Sequence, residues 1–322
     1  LVACLVIAGL VWCLTAAFQV IAPRLGFGSP PNDRGLHYGW TPRGGGVTIV
    51  VAASLAWWWL GIREPLPLLL AGSLALVGLW DDRQGLPPLP RLVAQVAVAS
   101  TLVWSIHRTA PNPPHVATIL VMVPCLMWFI NLFNFMDGSD GLAAVETVFV
   151  AIGSLLLMLA DPRQPTDFRY WAILSAACIG FLPWNLPRAR IFLGDAGSTW
   201  LGLVIGCGLL ADGLARPGLA PAMCMLPGAF VADASVCLIR RMSRGRHPFE
   251  AHRCHAYQRR VRRSGSHWSA LAWLLVVNTI PAVGAAASLM VPTGDWLIAI
   301  VAYSMLVVVM WQSGSGLEPE VP

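Results

Sequence analysis

The chain has 322 residues, 57% of them apolar and only 11% charged, where an ordinary globular protein is roughly a quarter charged. With 15 Trp, 25 Pro and a mean hydropathy of +0.66, it fits neither a soluble core, a disordered tail nor a disulfide-stapled scaffold, and belongs in a bilayer. The net charge of +5 rests on 21 basic residues, every one Arg; Arg without Lys suits bidentate phosphate recognition, although a coding bias accounts for it equally well.

A membrane-crossing helix needs about 20 predominantly apolar residues, with roughly 17–25 tolerated. Such runs predict spans near 1–22, 46–62, 66–80, 92–107, 116–133, 142–160, 169–185, 198–212, 219–239, 269–291 and 295–312. The expected fold class is therefore all-α: a polytopic membrane bundle of 11 helices, or 10 if the short third or eighth run is tilted or interfacial. The opening run is too long and too lightly charged for a cleaved signal peptide. No fixed-period repeat or shift in composition divides the chain, so residues 1–322 read as one integral-membrane domain. In the ninth span Pro227-Gly228 predicts a kink. Asp233, one to two turns before Arg240, is expected to pair with that arginine.

Orientation follows from arginine, because cytoplasmic loops carry the positive excess. With the N-terminus outside, the inner connections hold 16 Arg, nine of them between 240 and 263, and the outer ones hold five. The same arrangement puts Asp81, Asp82, Asp137, Asp140 and Asp195 on the inner face, each at or just past a helix end. Of eight Cys, only Cys254 lies in a polar segment, and no CxxC spacing occurs. That is neither a disulfide framework nor a zinc motif.

Five constellations carry chemical potential. Asp81 and Asp82 end the third span; adjacent carboxylates there are costly unless cations share them. They read either as a solvated end paired with Arg83 or Arg91, or as part of a magnesium–phosphate site. Asn131, Asn134 and Asp137 are spaced to share a helix face, and Asp140 follows, where it could also cap the sixth helix. Asn185 and the run Phe192-Leu193-Gly194-Asp195 precede the eighth helix, whose free N–H groups suit a phosphate. An acid there would repel phosphate unless a metal mediates. The loop 240–267 holds His247, His252, His255 and His267 among nine Arg. His252 and His255 would meet on a helix, but no set of acid or Cys completes a transition-metal site. The loop reads as a lipid-facing basic surface or a phosphate-capturing one. Finally, residues 30–46 end in Arg43-Gly44-Gly45-Gly46, which either cradles phosphate through backbone N–H groups or is a flexible loop. It lacks the Lys-Ser/Thr of a P-loop.

Taken together and in this order, the Thr-Pro-Arg-Gly-Gly-Gly loop, the Asp-Asp pair, Asn-x-x-Asn-x-x-Asp-Gly-x-Asp-Gly, Phe-x-Gly-Asp-x-Gly-Ser and the His-rich loop resemble the polyprenyl-phosphate N-acetylhexosamine-1-phosphate transferase family, of glycosyltransferase family 4 type. The stretch 250–259 resembles the bacterial O-antigen initiators; it lacks the three-histidine run of the muramoyl-pentapeptide branch. The resemblance implies transfer of a sugar 1-phosphate from a UDP-N-acetylhexosamine to undecaprenyl phosphate, with release of UMP, at the cytoplasmic face of a bacterial inner membrane. It implies Mg²⁺, with Mn²⁺ as an alternative, bound by Asp195 with Asn134 and with help from Asp81 and Asp82, one of which would deprotonate the lipid phosphate. Asp137, Asp140, Asn185 and Phe192 would hold the uridine end, and Arg43, His252, Arg253 and His255 the phosphates or sugar. No nucleic-acid partner is expected, and a homodimer is allowed for. An initiator specific for UDP-N-acetylglucosamine is the alternative within this chemistry. A transporter is the rival class; it predicts acids near the midplane and helices broken in corresponding halves, whereas these acids gather at one face.

Overall fold

The computed structural model describes residues 1–28, 41–62, 65–109, 116–160, 167–247, 250, 252–291 and 295–318. The expected phosphate-cradling stretch 30–46 therefore falls outside them except for its last six residues. Among the described residues no strand forms, and the chain runs as α1 (Val2–Ile21), α2 (Val47–Trp59), α3 (Pro65–Gln84), α4 (Pro88–Thr109), α5 (Val116–Met136), α6 (Leu142–Ala160) and α7 (Arg169–Asn185). It continues as α8 (Gly194–Ala215), a 3₁₀ turn (Pro217–Leu219), α9 (Ala220–Met225), α10 (Gly228–Met242), α11 (Ala256–Ser264), α12 (His267–Val277), α13 (Thr279–Met290) and α14 (Asp295–Gln312).

Among the described residues seven helical stretches are long and apolar enough to cross a membrane, and eight if the bent pair α9–α10 is one span. One expected span, 46–62, forms a shorter helix of 13 residues, Val47–Trp59, while 169–185 and 295–312 form helices with the expected bounds, Arg169–Asn185 and Asp295–Gln312. At 1.5 Å per residue a helix of the first length reaches about 20 Å, against roughly 30 Å of hydrocarbon. The runs that look short in sequence are not short in space. The third becomes the 20-residue α3 and the eighth the 22-residue α8, because their polar ends stay helical through contacts described below. The predicted kink is a break: α9 and α10 meet at 63° around Pro227, where proline removes a backbone donor. Asp233 does not pair with Arg240. It accepts the Ala256 N–H at 3.0 Å and the Ser315 hydroxyl at 2.5 Å, while Arg240 lies 3.9 Å over the Trp311 ring.

Lipid tails are as apolar as leucine, so helices in a bilayer associate through close packing and polar contacts more than through apolar burial. The most buried long helix, α8, packs against α3 and α5 at the centre of the bundle. At Gly202 a side chain would lie 2.5 Å from the Phe129 carbonyl, so α5 and α8 touch backbone to backbone. Trp57 of α2 stacks on Tyr170 of α7 and Trp200 of α8, tying those helices together. Large apolar side chains such as Leu5, Trp59, Leu69, Val121 and Ile300 point outward, as a lipid-facing belt requires.

Candidate active site

The ends of α3, α5 and α10 and the starts of α8 and α12 lie on one face of the bundle, and the polar motifs meet there. The centre is a junction of α3 with α8. Both oxygens of Asp82, whose side chain is fully buried, accept backbone N–H groups from the first turn of α8: Asp195 at 2.8 Å and Ala196 at 3.1 Å. These are two of the donors that a helix start leaves without intrahelical partners. A carboxylate from another helix thus caps α8, where the sequence alone suggests Asp195 itself at the helix start. Two glycines make the approach feasible. A Cβ on Gly78 would lie 2.6 Å from the Asp195 carbonyl, and Gly194 has φ +76°, a backbone conformation that favours glycine.

The segment 41–46 is drawn to the same point by its backbone. Phe192 N–H donates to the Pro42 carbonyl, and Gly45 and Gly46 donate back to Phe192 and Leu193 at 2.9 and 2.8 Å. This ladder places the Arg43 guanidinium between two acids, 2.8 Å from Asp82 and 2.7 Å from Asp195. Arg91, from α4, bridges a second pair: 2.7 Å from Asp81 and 3.5 Å from Asp195. Asp81 is further held by the Leu86 N–H. From the last turn of α5, Asn134 donates to Asp195 at 3.0 Å and to Ser198 at 3.2 Å, while Asn131, one turn earlier, is engaged with Gln95. Asp81, Asp82, Asn134, Asp195 and Arg43 thus form one cluster.

Charge at this point is close to balance. Burial works against the cation on Arg43, but the carboxylates of Asp195 and Asp82 overcome it and hold its pKa above the ordinary value. Burial pushes the Asp137 carboxyl, just past α5, well above the usual range, against the opposing pull of Arg43. Three carboxylates and an amide make a set of hard oxygen donors of the type that magnesium takes. Their side chains are 6%, 0% and 13% exposed for Asp81, Asp82 and Asp195, so Asp195 offers the most open oxygens. By donor type the set fits a divalent cation. The two arginines now lie between its carboxylates.

Asp140 and Asn185 do something the sequence does not show: they tie loops. Asp140 accepts the Ala189 N–H at 3.0 Å and stands 3.9 Å from His267. Asn185 accepts from Gly141 at 3.1 Å and donates to the Ile191 carbonyl at 2.9 Å. Phe192 is half-buried beside Arg43's strand-like segment. His252 and His255 do not share a helix, since α11 begins at Ala256; a turn brings their rings to 5.0 Å instead. His255 is buried and both rings face Phe135, whereas Arg253 is half-buried.

Residues 66–211, which contain most of this cluster, match the family model for Glycosyl transferase family 4. The decaprenyl-phosphate N-acetylglucosaminephosphotransferase of Mycolicibacterium smegmatis is 30% identical over 87% of this chain and 80% of its own length. The chain belongs to glycosyl transferase family 4. An undecaprenyl-phosphate alpha-N-acetylglucosaminyl 1-phosphate transferase of Thermotoga maritima is 28% identical over 77% of the chain and 78% of that protein. A phospho-N-acetylmuramoyl-pentapeptide-transferase of a Synechococcus strain is 33% identical over a shorter match, 60% of the chain and 61% of that protein.

For this family 4 member, sequence reasoning missed the bridge from Arg91 to Asp195 and the contact of Cys237 with the histidine loop. Cys237 lies 3.9 Å from His252. Both partners are remote in sequence, and Cys237 sits in an apolar run, so no local signal marks it.

Proposed function

We propose that the chain transfers an N-acetylhexosamine 1-phosphate from a UDP-sugar to a polyprenyl phosphate at the cytoplasmic face of the membrane, releasing UMP. The observation that carries this reading is the convergence of Asp81, Asp82, Asn134, Asp195, Arg43 and Arg91 at one end of the bundle. Transfer of a phosphoryl group mostly needs positioned charge, and a lipid nucleophile needs that charge at a membrane surface. The names of the compared relatives favour N-acetylglucosamine as the sugar and a polyprenyl phosphate as acceptor. Initiation of an O-antigen is one use of such a product.

Asp195, with Asn134 and Asp81, would hold a magnesium ion, which when bound neutralises the diphosphate and polarises its phosphorus–oxygen bonds. Asp82 acts as a positioning residue: spent on the α8 N-terminus, it sets the direction in which the Asp195 side chain points. Asp81, bonded to a mobile type of partner in the Arg91 side chain, is the better placed of the pair to take a proton from the lipid phosphate. Arg43 and Arg91 would swing from carboxylates to substrate phosphates, which take the same bidentate geometry. Asp137 and Phe192 line the approach for the uridine end, with Asp140 and Asn185 fixing the loops that carry it. Arg253 offers a further cation for the phosphates.

An apolar groove of about 640 Å³ supports a place for the prenyl chain. It runs along α6 from Val145, near the Asp140 loop, to Ala160, and borders Leu226 at the α9–α10 break. The arginine bias supports the cytoplasmic orientation, and eleven crossings require the short helices α2, α7 and α14 to span with the bundle's support. Purified protein given undecaprenyl phosphate and UDP-N-acetylglucosamine should yield UMP and a lipid diphosphosugar by mass spectrometry. Absence of such a lipid from a panel of UDP-N-acetylhexosamines would overturn the reading.

A further inference from the structure

A cavity of about 290 Å³ lies between α11, α12 and the chain that follows α14, lined by Arg259, Arg260, Arg263, Ser264, Trp273 and Ser313. We propose that it binds the phosphate of an anionic phospholipid headgroup from the surrounding leaflet. The three arginines recur at steps of three and four residues, so α11 turns them to one side. His255 and Tyr257, at the start of the same helix, are engaged elsewhere. Their rings stack at 5.7 Å, and the Tyr257 hydroxyl donates to the Phe135 carbonyl of α5 at 3.0 Å. The histidine turn therefore keeps its own place beside α5, and the cavity is separate from it.

Positive charge gathers around this cavity. The nine residues of α11 include four arginines and no acid, and among the described residues no carboxylate lines the cavity. Arg259 is 7% exposed. Its Nη1 meets only the Leu317 and Glu318 carbonyls, each at 3.1 Å, and its Nε–H has no hydrogen-bond partner among the described residues. Arg260 is exposed but anchored, because its Nε–H donates to the Ser269 carbonyl at 3.1 Å. Burial and the neighbouring cations of Arg259 and Arg253 hold the Arg262 pKa below its ordinary value, as happens where positive charges crowd together. A buried donor without an acceptor is costly. Phosphate oxygens supply the acceptors and the counter-charge together, in the geometry that a guanidinium fork presents.

The cavity's level in the bundle selects a lipid over a soluble anion. Exposed Trp268 lies at the start of α12 and exposed Trp311 at the end of α14, as tryptophans do at a membrane–water boundary. Exposed Ile300, Val301, Val307 and Val308 lead along α14 to that point, so acyl chains reach the cavity's edge. Trp273 stands five residues beyond Trp268, about 8 Å further along α12, and gives the arginine-rimmed cavity an apolar side. The volume is close to the lower end of small-molecule sites, roughly 300–1,000 Å³, which suits a headgroup and not a whole lipid. A bound phosphate would hold α11 against α12 and the chain after α14, and with them the turn that carries His252 and His255. The inference stands on these contacts and does not depend on the transferase reading.

The test uses full-length protein, delipidated in detergent and given phosphatidylglycerol, phosphatidylethanolamine or inorganic phosphate, with bound copies counted by native mass spectrometry. Wild-type protein should retain one phosphatidylglycerol in clear preference to phosphatidylethanolamine. A hydrogen bond to a charged partner is worth roughly tenfold or more in affinity, so the double variant Arg260→Ala/Arg263→Ala should weaken that binding by at least about tenfold. Both residues are exposed, and an unchanged thermal midpoint checks that the fold survives. Arg24→Ala/Arg83→Ala removes two exposed arginines at the same end of the bundle but outside the cavity, and should leave binding unchanged. Wild-type protein that holds the two phospholipids equally overturns the proposal whatever the variants do. An equal loss in both double variants also overturns it, because bulk charge then suffices. Inorganic phosphate bound through Arg260 and Arg263 without phosphatidylglycerol binding would assign the cavity to a free anion and overturn the lipid.

Discussion

Asp82 and Asp195 are joined through the backbone: the Asp82 carboxylate accepts the Asp195 N–H at 2.8 Å, and Arg43 bridges their side chains from outside. The end of one helix therefore aims the first residues of another. Hydrogen bonds to a charged partner contribute about 1.5–3 kcal/mol each. Asp82→Ala, which leaves two N–H groups and Arg43 without their acceptor, should lower the thermal midpoint in detergent clearly. Asp82→Asn retains one acceptor oxygen and should lose less. Equal midpoints for wild type and Asp82→Ala would argue against the capping role.

The α3–α8 crossing makes a second prediction from two glycines on one helix. A methyl at Gly78 meets the Asp195 carbonyl at 2.6 Å, while one at Gly72 meets nothing within 4 Å. Overpacking of this kind costs about 1–3 kcal/mol. Gly78→Ala should reduce both stability and activity, and Gly72→Ala neither. Similar behaviour of the two variants would contradict the close approach.

Much of the site was legible in the sequence because it is written in residue type and short spacing. Asp81-Asp82, the Asn134 to Asp137 step and Gly194-Asp195 each announce polar groups at the end of an apolar run. What was not legible depends on contacts across the fold. Nothing local says that Asp82 caps α8, that Arg91 reaches Asp195, or that Asp233 holds Ala256 and not Arg240. The helical class was equally plain, whereas the number of crossings was not. Apolar runs do not reveal that α2 stops at 13 residues or that α9 and α10 part at 63°.

Protonation of Asp137 gives a pH-dependent signature. Burial raises its pKa in the folded protein, so the folded state holds this proton more tightly than the unfolded chain does. Its contribution to stability is complete at acid pH and is lost as pH rises from the ordinary carboxylate range through the raised value. In metal-free protein, Asp137→Asn cannot ionise and should lose less stability than wild type across that rise. Thermal unfolding at stepped pH in EDTA reads this difference, and parallel curves would refute it.

Orientation is open to a labelling test at Ser264, which is exposed at the end of α11. A cysteine placed there should resist an impermeant thiol reagent in intact cells and react after permeabilisation. Reaction in intact cells would reverse the proposed topology.

The central claim is that Asp195 is the hub of a metal-dependent sugar-phosphate transfer. Its carboxylate contacts Arg43, Arg91 and Asn134, while its backbone, which anchors the helix start, is untouched by substitution of the side chain. The most direct measurement is the rate of UMP release by Asp195→Asn protein, with undecaprenyl phosphate and UDP-N-acetylglucosamine, set beside its thermal midpoint. The account predicts a loss of at least about a hundred-fold, on the scale of removing one electrostatic group from a reaction centre, with the fold intact and with wild-type activity abolished by excess EDTA. Near-wild-type turnover by folded Asp195→Asn protein, or full wild-type turnover in EDTA, would contradict it.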